Sequence, residues 1–441
     1  MDVLATAAAE RPDAPALITA TRTVGYAELD QAASGVAAIV ASSGTFGTGA
    51  VAFWGERTID SVAAVWGIPR AGIAAVPVDP KLPPAEAMAL TRSAGVRGLW
   101  IAPEGGFDTL VERGSRWEPD FPRRSDHQYV LFTSGSEGLP KGVRLDGDNI
   151  AAAVAASRHR LGNERDDPWL CVLPLFHVGG LSVLWRQAEA GAPVVLLERF
   201  EAAQAADAFG SVAFASLVPV MLGRALAASP ARTLDLKAVL VGGAASAPDL
   251  LIEAQQQGIP AVPTYGMTET CSQVATPHPN DELDGSVGRP LPGVEVRTVD
   301  AAGEPTDGEG RIQVRGPIVM RGYVGDSDRS TGDWFETSDL GKLDDTGRLT
   351  VIGRADEVLI VGGENVHPAA VERLLGRHDD ILRVRVFGVP DAEWGTRIVA
   401  EVETGGTDVA ELEAWAAAHL SPPMRPREWR LVEEAERKLD A

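Results

Sequence analysis

The sequence YVLFTSGSEGLPKG occupies residues 129–142 and joins a short apolar run to a loop of unusual composition. The run Tyr129–Phe132 predicts a buried β-strand. Glycines, hydroxyl residues and Lys141 follow it, and such a loop can bind phosphate through close backbone N–H groups and a neutralising charge. The spacing is not that of the Walker P-loop. By itself the loop is also compatible with an ordinary surface turn.

The sequence on either side of this loop alternates between strand and helix patterns. Residues 50–54 and 73–78 are short apolar runs that predict buried strands, whereas residues 32–41 and 59–71 repeat apolar positions at helical spacing. Similar runs recur at residues 194–197, 213–218 and 238–241, each flanked by alanine-rich segments that favour helices. The alternation predicts an α/β fold with doubly wound sheets over about the first three quarters of the chain.

The composition changes after Gly285, where glycine and proline become frequent. Runs near residues 294–299, 310–314 and 347–351 predict strands joined by turns, and therefore a small β-rich subdomain. Beyond Arg354 the pattern indicates a strand, a helix at 368–376, further strands and a helix from Val409. We expect a large N-terminal region of residues 1–353 and a small α+β C-terminal domain of residues 354–441.

Charge and cysteine content narrow the possible functions. Lys and Arg number 40 and Asp and Glu 62, so the formal net charge is −22, which repels nucleic acid and anionic membranes. Cys171 and Cys271 are the only cysteines, too few for a disulfide framework. The start of the chain lacks the features of a signal peptide, and no apolar stretch reaches membrane-spanning length. These features predict a cytoplasmic protein without membrane insertion.

The loop at residues 133–142 resembles the phosphate-loop signature of the acyl-adenylating superfamily, which includes acyl-CoA synthetases, firefly luciferases and peptide-synthetase adenylation domains. Glu137 stands where threonine is commoner. Further motifs resemble that superfamily in its own order, namely LPLFHVGG at 173–180, VGGAA at 241–245, TYGMTET at 264–270 and FETSDLG at 335–341. This order, along nearly the whole chain, is more specific than any single motif.

The resemblance implies a set of nucleotide and CoA contacts. Tyr265 would stack on adenine, Asp339 would bind the ribose hydroxyls, and Arg354 would be a second ribose or phosphate contact. An aromatic face suits a purine, and an acceptor-only carboxylate suits two hydroxyl donors. The complete set implied by the resemblance is Thr133, Ser134, Gly135, Ser136, Gly138, Gly243, Ala244, Tyr265, Gly266, Asp339, Arg354 and Gly363.

The resemblance also implies four catalytic residues. Lys141 would offset phosphate charge, Thr268 would contact the α-phosphate, and Glu269 would help to hold Mg²⁺, a hard cation that oxygen ligands suit. Lys438 would contact the acyl carboxylate and the α-phosphate from the C-terminal domain. The proline-arginine turn expected before that lysine is not found, so a frayed terminal charge remains the alternative for Lys438.

The remaining implied residues concern domain motion and the acyl pocket. Asp356 matches the hinge about which the C-terminal domain would rotate. Gly363 lies in the stretch that turns towards the pantetheine tunnel in CoA-using members. His177, Gly179 and Ser272 would line the acyl pocket, although related sequences often have serine where Gly179 stands. The alternative for His177 is an ordinary packed core histidine.

Within the superfamily, the motifs are most similar to those of o-succinylbenzoate–CoA ligases of menaquinone biosynthesis. This resemblance implies activation of a carboxylic acid by ATP and Mg²⁺ as an acyl-adenylate, followed by transfer to CoA, in a protein that could be a homo-oligomer. Two alternatives stay open. One is a ligase for another aryl or acyl acid, or a relative that passes the adenylate to a different nucleophile. The other is a nucleotide-binding homologue with weak catalysis.

Overall fold

The computed structural model describes residues 2–43, 49–114, 128–133, 140–228, 235–362, 364–391 and 394–432. In these residues the α-helices are α1 (Val3–Glu10), α2 (Tyr26–Ser42), α3 (Ile59–Arg70), α4 (Pro84–Thr91), α5 (Gly106–Gly114), α6 (Gly147–Leu161), α7 (Val178–Ala190), α8 (Ala202–Ala208), α9 (Pro219–Ala227), α10 (Pro248–Gln256), α11 (Pro368–Leu375) and α12 (Val409–His419).

The strands of the first part are β1 (Pro15–Ile18), β2 (Thr23–Gly25), β3 (Ala50–Trp54), β4 (Ala74–Val78), β5 (Val96–Trp100), β6 (Tyr129–Thr133), β7 (Lys141–Leu145), β8 (Trp169–Cys171), β9 (Val194–Leu196), β10 (Phe214–Leu217), β11 (Ala238–Val241), β12 (Ala261–Pro263), β13 (Tyr265–Met267) and β14 (Ser272–Ala275). The later strands are β15 (Glu295–Val299), β16 (Pro305–Thr306), β17 (Gly310–Arg315), β18 (Gly322–Tyr323), β19 (Phe335–Leu343), β20 (Leu349–Arg354), β21 (Leu359–Val361), β22 (Glu364–Val366), β23 (Ile381–Asp391), β24 (Gly395–Thr404) and β25 (Glu428–Leu431).

Two large sheets organise the first part of the chain. One has the strand order β12-β11-β10-β8-β9-β1-β2, and the other has the order β18-β7-β6-β4-β3-β5. Most neighbouring strands are parallel, and antiparallel pairs lie at one edge of each sheet. Strands β4, β10 and β11 are buried at every position, because apolar runs in parallel sheets are covered by helices on both faces.

The later part of the chain forms two smaller sheets. The order β16-β15-β17-β19-β20 gives an antiparallel sheet, and β22-β21-β24-β23 with β25 beside β24 gives the last one. Helices α11 and α12 contribute Val371 and Leu412 to a hydrophobic core that residues of the last sheet complete. In the part of the chain that the structure describes, no helix is both long enough and apolar enough to cross a membrane.

These sheets confirm the predicted fold class. Strand β3 and strand β11 have the predicted bounds, and the predicted helix at 59–71 is α3, which Thr58 caps by accepting a hydrogen bond from Ser61 N. A turn at residues 344–347 joins β19 to β20, in line with the predicted turns between strands of this region, and Gly347 has a φ of 78° that glycine tolerates. The proposed division at residue 354 stays a prediction.

Candidate active site

The two ends of the phosphate loop are cross-strand neighbours. Thr133 ends β6, Lys141 begins β7, and the two residues face each other in the antiparallel pair. The predicted phosphate contacts Ser134, Gly135, Ser136 and Gly138 lie outside the described residues. The Lys141 side chain is exposed, and its ammonium lies 5.6 Å from the ring centroid of Tyr323, within the range of a cation–π contact.

The TYGMTET motif forms a tight hairpin of β13 and β14 around a 3₁₀ turn at Thr268–Thr270. A Cβ on Gly266 would lie 1.5 Å from the carbonyl oxygen of Ser272, so only glycine fits where the two strands approach. Cys271 and Ser272 have φ angles of 51° and 97°, in a region that non-glycine residues seldom adopt. The turn that carries Thr268 and Glu269 therefore has a strained backbone held by its surroundings.

Glu269 is held through both its backbone and its side chain. Its carbonyl oxygen accepts a hydrogen bond from Met320 N at 2.8 Å, and its Oε1 accepts one from the Tyr323 hydroxyl at 2.9 Å. Burial raises the pKa of Glu269, although the hydrogen bond from Tyr323 opposes this shift. Burial also raises the pKa of Tyr323, so the phenol keeps its proton and is the donor of this hydrogen bond.

Asp339 and Tyr265 meet at the predicted nucleoside site. The Tyr265 hydroxyl donates to Asp339 Oδ2 at 2.7 Å. Burial raises the pKa of Asp339, whereas the Tyr265 hydrogen bond and the positive charge of Arg354 lower it. Arg354 stands opposite Asp339 in the β19–β20 pair, but its guanidinium binds both carboxylate oxygens of Asp356 at 2.9 and 2.6 Å. The structure thus brings the predicted ribose contacts to the predicted hinge.

Gly243 and Ala244 lie two and three residues after the end of β11, at the carboxyl end of a parallel strand where ligands of α/β sheets commonly bind. Gly243 has a φ of 76°. The neighbouring strand β12 leads into Thr264, whose N–H donates to Val241 O at 2.9 Å. This contact places the VGGAA segment beside the start of the TYGMTET motif. The predicted adenine contacts therefore come from adjacent strand ends.

The predicted acyl-pocket residues lie around the start of α7. His177 precedes the helix and packs on Phe176 with ring centroids 4.3 Å apart. Burial lowers the pKa of His177, and Asp79 opposes that shift, so the imidazole is neutral at pH 7. Gly179 lies in the first turn of α7, where a Cβ would approach Leu173 Cδ1 to 3.0 Å. Ser272, in β14, approaches the same helix through its hydroxyl, which accepts a hydrogen bond from Arg186 Nη2.

Arg186 is a site residue that the sequence did not reveal. It is only 3 % exposed, and its Nη2 donates to Ser272 Oγ at 3.3 Å and to Gln273 Oε1 at 3.0 Å. Burial lowers the pKa of Arg186 to about 9, and among the described residues no carboxylate lies within ion-pair distance of it. The sequence offered one signal for a buried charge here, because Arg186 is the single charged residue in the mostly apolar run of residues 181–186.

Tyr323 is the second residue that the sequence did not reveal. It lies more than fifty positions from Glu269 and outside the motifs at residues 133–142, 173–180, 241–245, 264–270 and 335–341. Two further predicted residues, Gly363 and Lys438, lie outside the described residues. Two surface cavities of about 270 and 440 Å³ are lined by residues such as Arg160 and Asn163, which are not predicted site residues.

The donor set around Glu269 fits a magnesium ion that is shared with a nucleotide. Among the described residues no group of three or more His, Cys, Asp or Glu side chains could hold a metal ion. A single carboxylate near Lys141 is nevertheless what Mg²⁺ requires when water and phosphate oxygens supply its other ligands. A carboxylate that accepts one hydrogen bond also retains lone pairs for a cation.

Comparison with known proteins defines the class of this chain. Residues 4–324 match the family described as AMP-binding enzyme, and residues 370–438 match the AMP-binding enzyme C-terminal domain. The chain belongs to the AMP-binding enzyme family. The predicted resemblance to acyl-adenylating enzymes is thereby confirmed.

Individual relatives give a more specific comparison than the family does. The chain is 36% identical over 322 residues to 2-succinylbenzoate–CoA ligase of Bacillus licheniformis, covering 71% of this chain and 67% of the relative. It is 35% identical over 323 residues to the ligase of the same name from Enterococcus faecalis, covering 70% and 67%. These alignments span about two thirds of each relative's length.

Solved structures extend the similarity to the whole chain. O-succinylbenzoate CoA synthetase from Bacillus subtilis in complex with the acyl-adenylate intermediate OSB-AMP has a TM-score of 0.86 at 29% identity, covering 99% of this chain and 95% of that one. The same enzyme in complex with ATP and magnesium ion also has a TM-score of 0.86 at 29% identity, with 99% and 96% covered.

Proposed function

We propose that this protein is an AMP-forming acid–thiol ligase that activates o-succinylbenzoate with ATP and transfers the acyl group to CoA. The proposal is supported by the grouping of the predicted nucleotide residues at adjacent strand ends and by the names of the relatives. The observation that carries the choice of acid is Arg186, a buried cation beside Ser272 without a carboxylate partner in the described part of the chain. Such a cation favours an anionic group nearby.

The chemistry consists of two substitutions. A carboxylate oxygen of the acid attacks the α-phosphorus of ATP, and the bond from that phosphorus to pyrophosphate breaks. The CoA thiolate then attacks the acyl carbon, and AMP leaves with the electrons of the broken C–O bond. Both steps depend mainly on orientation and charge neutralisation. Bound Mg²⁺, with Glu269 as its carboxylate ligand, would offset phosphate charge.

The side chains of this protein take complementary parts in that reaction. Lys141 and Thr268 would contact phosphate oxygens, Tyr265 would lie against adenine, and Asp339 would accept hydrogen bonds from the ribose. The acid would occupy the space between His177, Gly179 and Ser272, with its second carboxylate towards Arg186. o-Succinylbenzoate has two carboxylates, so one can react while the other meets this cation. Residues 354–441 would form the mobile domain, hinged at Asp356, which brings Lys438 to the reacting groups.

The test compares two acids in ATP–pyrophosphate exchange. The first is o-succinylbenzoate, and the second is 4-oxo-4-phenylbutanoate, which lacks only the ring carboxylate. We expect the wild type to prefer the first acid and Arg186→Met to lose about 100-fold in kcat/KM for it, because a desolvated charge pair is worth several kcal/mol. The same variant should change the rate with the second acid about threefold or less, since that acid lacks the paired charge.

Several results would contradict the proposal. No exchange with any acid would exclude the adenylating activity and leave a nucleotide-binding homologue. Equal losses for both acids in Arg186→Met would mean that Arg186 does not contact the second carboxylate. Exchange without consumption of the CoA thiol would mean that the acyl group goes to a different acceptor. Mass spectrometry of the acyl product would then identify that acceptor.

A further inference from the structure

Tyr323 contacts two of the predicted catalytic residues at once. Its hydroxyl donates to Glu269 Oε1 at 2.9 Å, and its ring centroid lies 5.6 Å from the ammonium of Lys141. Glu269 comes from the turn between β13 and β14, whereas Lys141 begins β7 at the other end of the phosphate loop. One half-buried phenol therefore connects the predicted magnesium ligand to the predicted phosphate-binding lysine.

The hydroxyl of Tyr323 has a different kind of partner from that of an ordinary buried tyrosine. The sequence contains four tyrosines. Tyr26 and Tyr129 donate to backbone carbonyl oxygens, those of Gln187 and Ala192 for Tyr26 and that of Val65 for Tyr129. Tyr265 and Tyr323 instead donate to the carboxylates of Asp339 and Glu269. A tyrosine that served only in packing could donate its hydrogen bond to a backbone oxygen. It would not need to donate to a carboxylate that is also predicted to bind a ligand.

The backbone that carries Tyr323 is fixed to the strand that carries Lys141. Strand β18 pairs with β7 in antiparallel fashion, with Tyr323 opposite Val143, and Val324 N donates to Gly142 O at 2.7 Å. These contacts begin one residue after Lys141. The position of the phenol relative to the lysine is therefore set by strand pairing and does not depend on the placement of a free loop.

Partly exposed ion pairs secure the rest of this segment. Arg144 forms an ion pair with Asp328 at 2.7 Å and donates to Asp326 O at 3.0 Å, and Arg321 forms an ion pair with Asp146. Charge-assisted hydrogen bonds of this kind hold a segment more firmly than neutral ones. Met320, just before these residues, donates its N–H to the backbone of Glu269. The segment therefore contacts both the turn that carries Glu269 and the strand that begins at Lys141.

We propose that Tyr323 is a positioning residue, which orients the Glu269 carboxylate towards Mg²⁺ through its hydroxyl and holds the Lys141 ammonium beside the phosphates through its ring. The proposal rests on the proposed function for the identity of the ligand. Without the hydroxyl, the carboxylate keeps its backbone anchor but loses the contact that fixes its side-chain rotamer. Without the ring, the lysine also loses its partner.

Binding of ATP, measured by calorimetry in EDTA and in saturating Mg²⁺, separates these two effects. We expect Tyr323→Phe to reduce the gain in ATP affinity caused by Mg²⁺ about 10-fold, because a hydrogen bond to a charged group is lost. Its affinity in EDTA should stay within about twofold, since a phenylalanine ring retains the cation–π contact. Tyr323→Leu should in addition lower the affinity in EDTA about threefold, because that contact disappears.

Tyr26→Phe is the matched control. It also removes the hydroxyl of a buried tyrosine, but that hydroxyl donates only to the backbone oxygens of Gln187 and Ala192. This variant should lower the Tm and leave both ATP affinities unchanged. If Tyr323→Phe keeps the full gain from Mg²⁺, or loses affinity equally in EDTA and in Mg²⁺, the proposal is wrong.

Acid-dependent exchange separates this proposal from the proposed function. If the wild type gives no exchange with any acid but Tyr323→Phe still loses the gain from Mg²⁺, the proposed function fails and the role of Tyr323 stands. If exchange is normal but Tyr323→Phe binds ATP as the wild type does, the proposed function stands and the proposed role of Tyr323 fails. A wild type that does not bind ATP in Mg²⁺ would overturn both.

Discussion

The two carboxylates of the candidate site, Glu269 and Asp339, are half-buried, and we expect their ionised forms to lower the stability of the folded chain. Burial raises the pKa of both, so each binds its proton more tightly in the folded state than in the unfolded chain. A group with a raised pKa favours folding when it is protonated, and this contribution is lost as the pH rises through the folded-state pKa. At pH 7 the ionised form of each carboxylate therefore lowers the stability of the fold. A bound ligand that supplies a cation or hydrogen-bond donors can offset this cost.

At the residue scale, Asp339→Asn should stabilise the protein while weakening nucleotide binding. The amide oxygen can still accept the hydrogen bond from Tyr265, but it carries no charge to desolvate. We expect a higher Tm than that of the wild type at pH 7 and a difference that shrinks as the pH falls towards the ordinary aspartate value of 3.8. ATP affinity should fall about 10-fold, because a charge-assisted acceptor is lost.

The measurements are thermal and chemical denaturation from pH 5 to pH 8 and calorimetry with ATP. Asp345→Asn, at an exposed position, is the control and should change the free energy of unfolding by less than about 0.5 kcal/mol. A lower Tm for Asp339→Asn at pH 7 would show that the ionised carboxylate stabilises the fold, contrary to this expectation.

At the element scale, Asp146 joins the start of α6 to the segment that carries Tyr323. Its Oδ1 accepts from Asp148 N at 3.0 Å and from Asn149 N at 2.8 Å, which caps α6. Its other oxygen pairs with Arg321. Asn149 completes the capping box and donates to the carbonyl oxygens of Pro317 and Val319. The helix start therefore anchors the segment that carries Tyr323.

Two substitutions of Asp146 should separate the cap from the ion pair. Asp146→Ser keeps an acceptor for the helix N–H groups, so we expect it to lose only the pair with Arg321, about 1–2 kcal/mol of unfolding free energy. Asp146→Ala loses both and should cost about 1 kcal/mol more. Urea denaturation measures these differences. Equal losses for the two variants would mean that the cap contributes nothing.

At the scale of the whole molecule, the last part of the chain has a hydrophobic core of its own. The buried residues between Val361 and Leu420 form one cluster, separate from the three clusters of the earlier sheets. Its contacts with the preceding sheet include the hydrogen bonds from Arg373 Nη2 to the carbonyl oxygens of Val351 and Ile352 at 3.3 and 3.4 Å. A unit with its own core can fold and move by itself.

We therefore expect a fragment of residues 355–441 to fold without the rest of the chain. Trp394, Trp415 and Trp429 pack against its core, so folding should give a near-ultraviolet circular dichroism signal that disappears in one cooperative thermal transition. Leu412→Ala, which leaves a cavity in this core, is the control and should lower the transition temperature of the fragment. A fragment with the narrow amide dispersion of an unfolded chain by NMR would contradict the division at residue 354.

Local features of the sequence determined the helices and strands of the fold and the kinds of residue in the candidate site. Apolar runs and helical spacing gave β3, β11 and α3 with bounds close to those observed, because burial pattern and capping act over a few residues. The resemblance of the motifs around Lys141, Tyr265 and Asp339 to the acyl-adenylating superfamily predicted a nucleotide site, and the family match bears out that resemblance. What the individual residues do there stays a prediction.

Only the tertiary structure decided which side chains meet. Arg186 and Ser272 are 86 positions apart, and Tyr323 and Glu269 are 54 apart, yet each pair shares a hydrogen bond. Their contact depends on how α7 lies against β14 and how β18 adds to the edge of β7. The ordered motifs predicted the class of reaction, but the partners of Arg186 and Tyr323 depend on packing between elements, which no local pattern records.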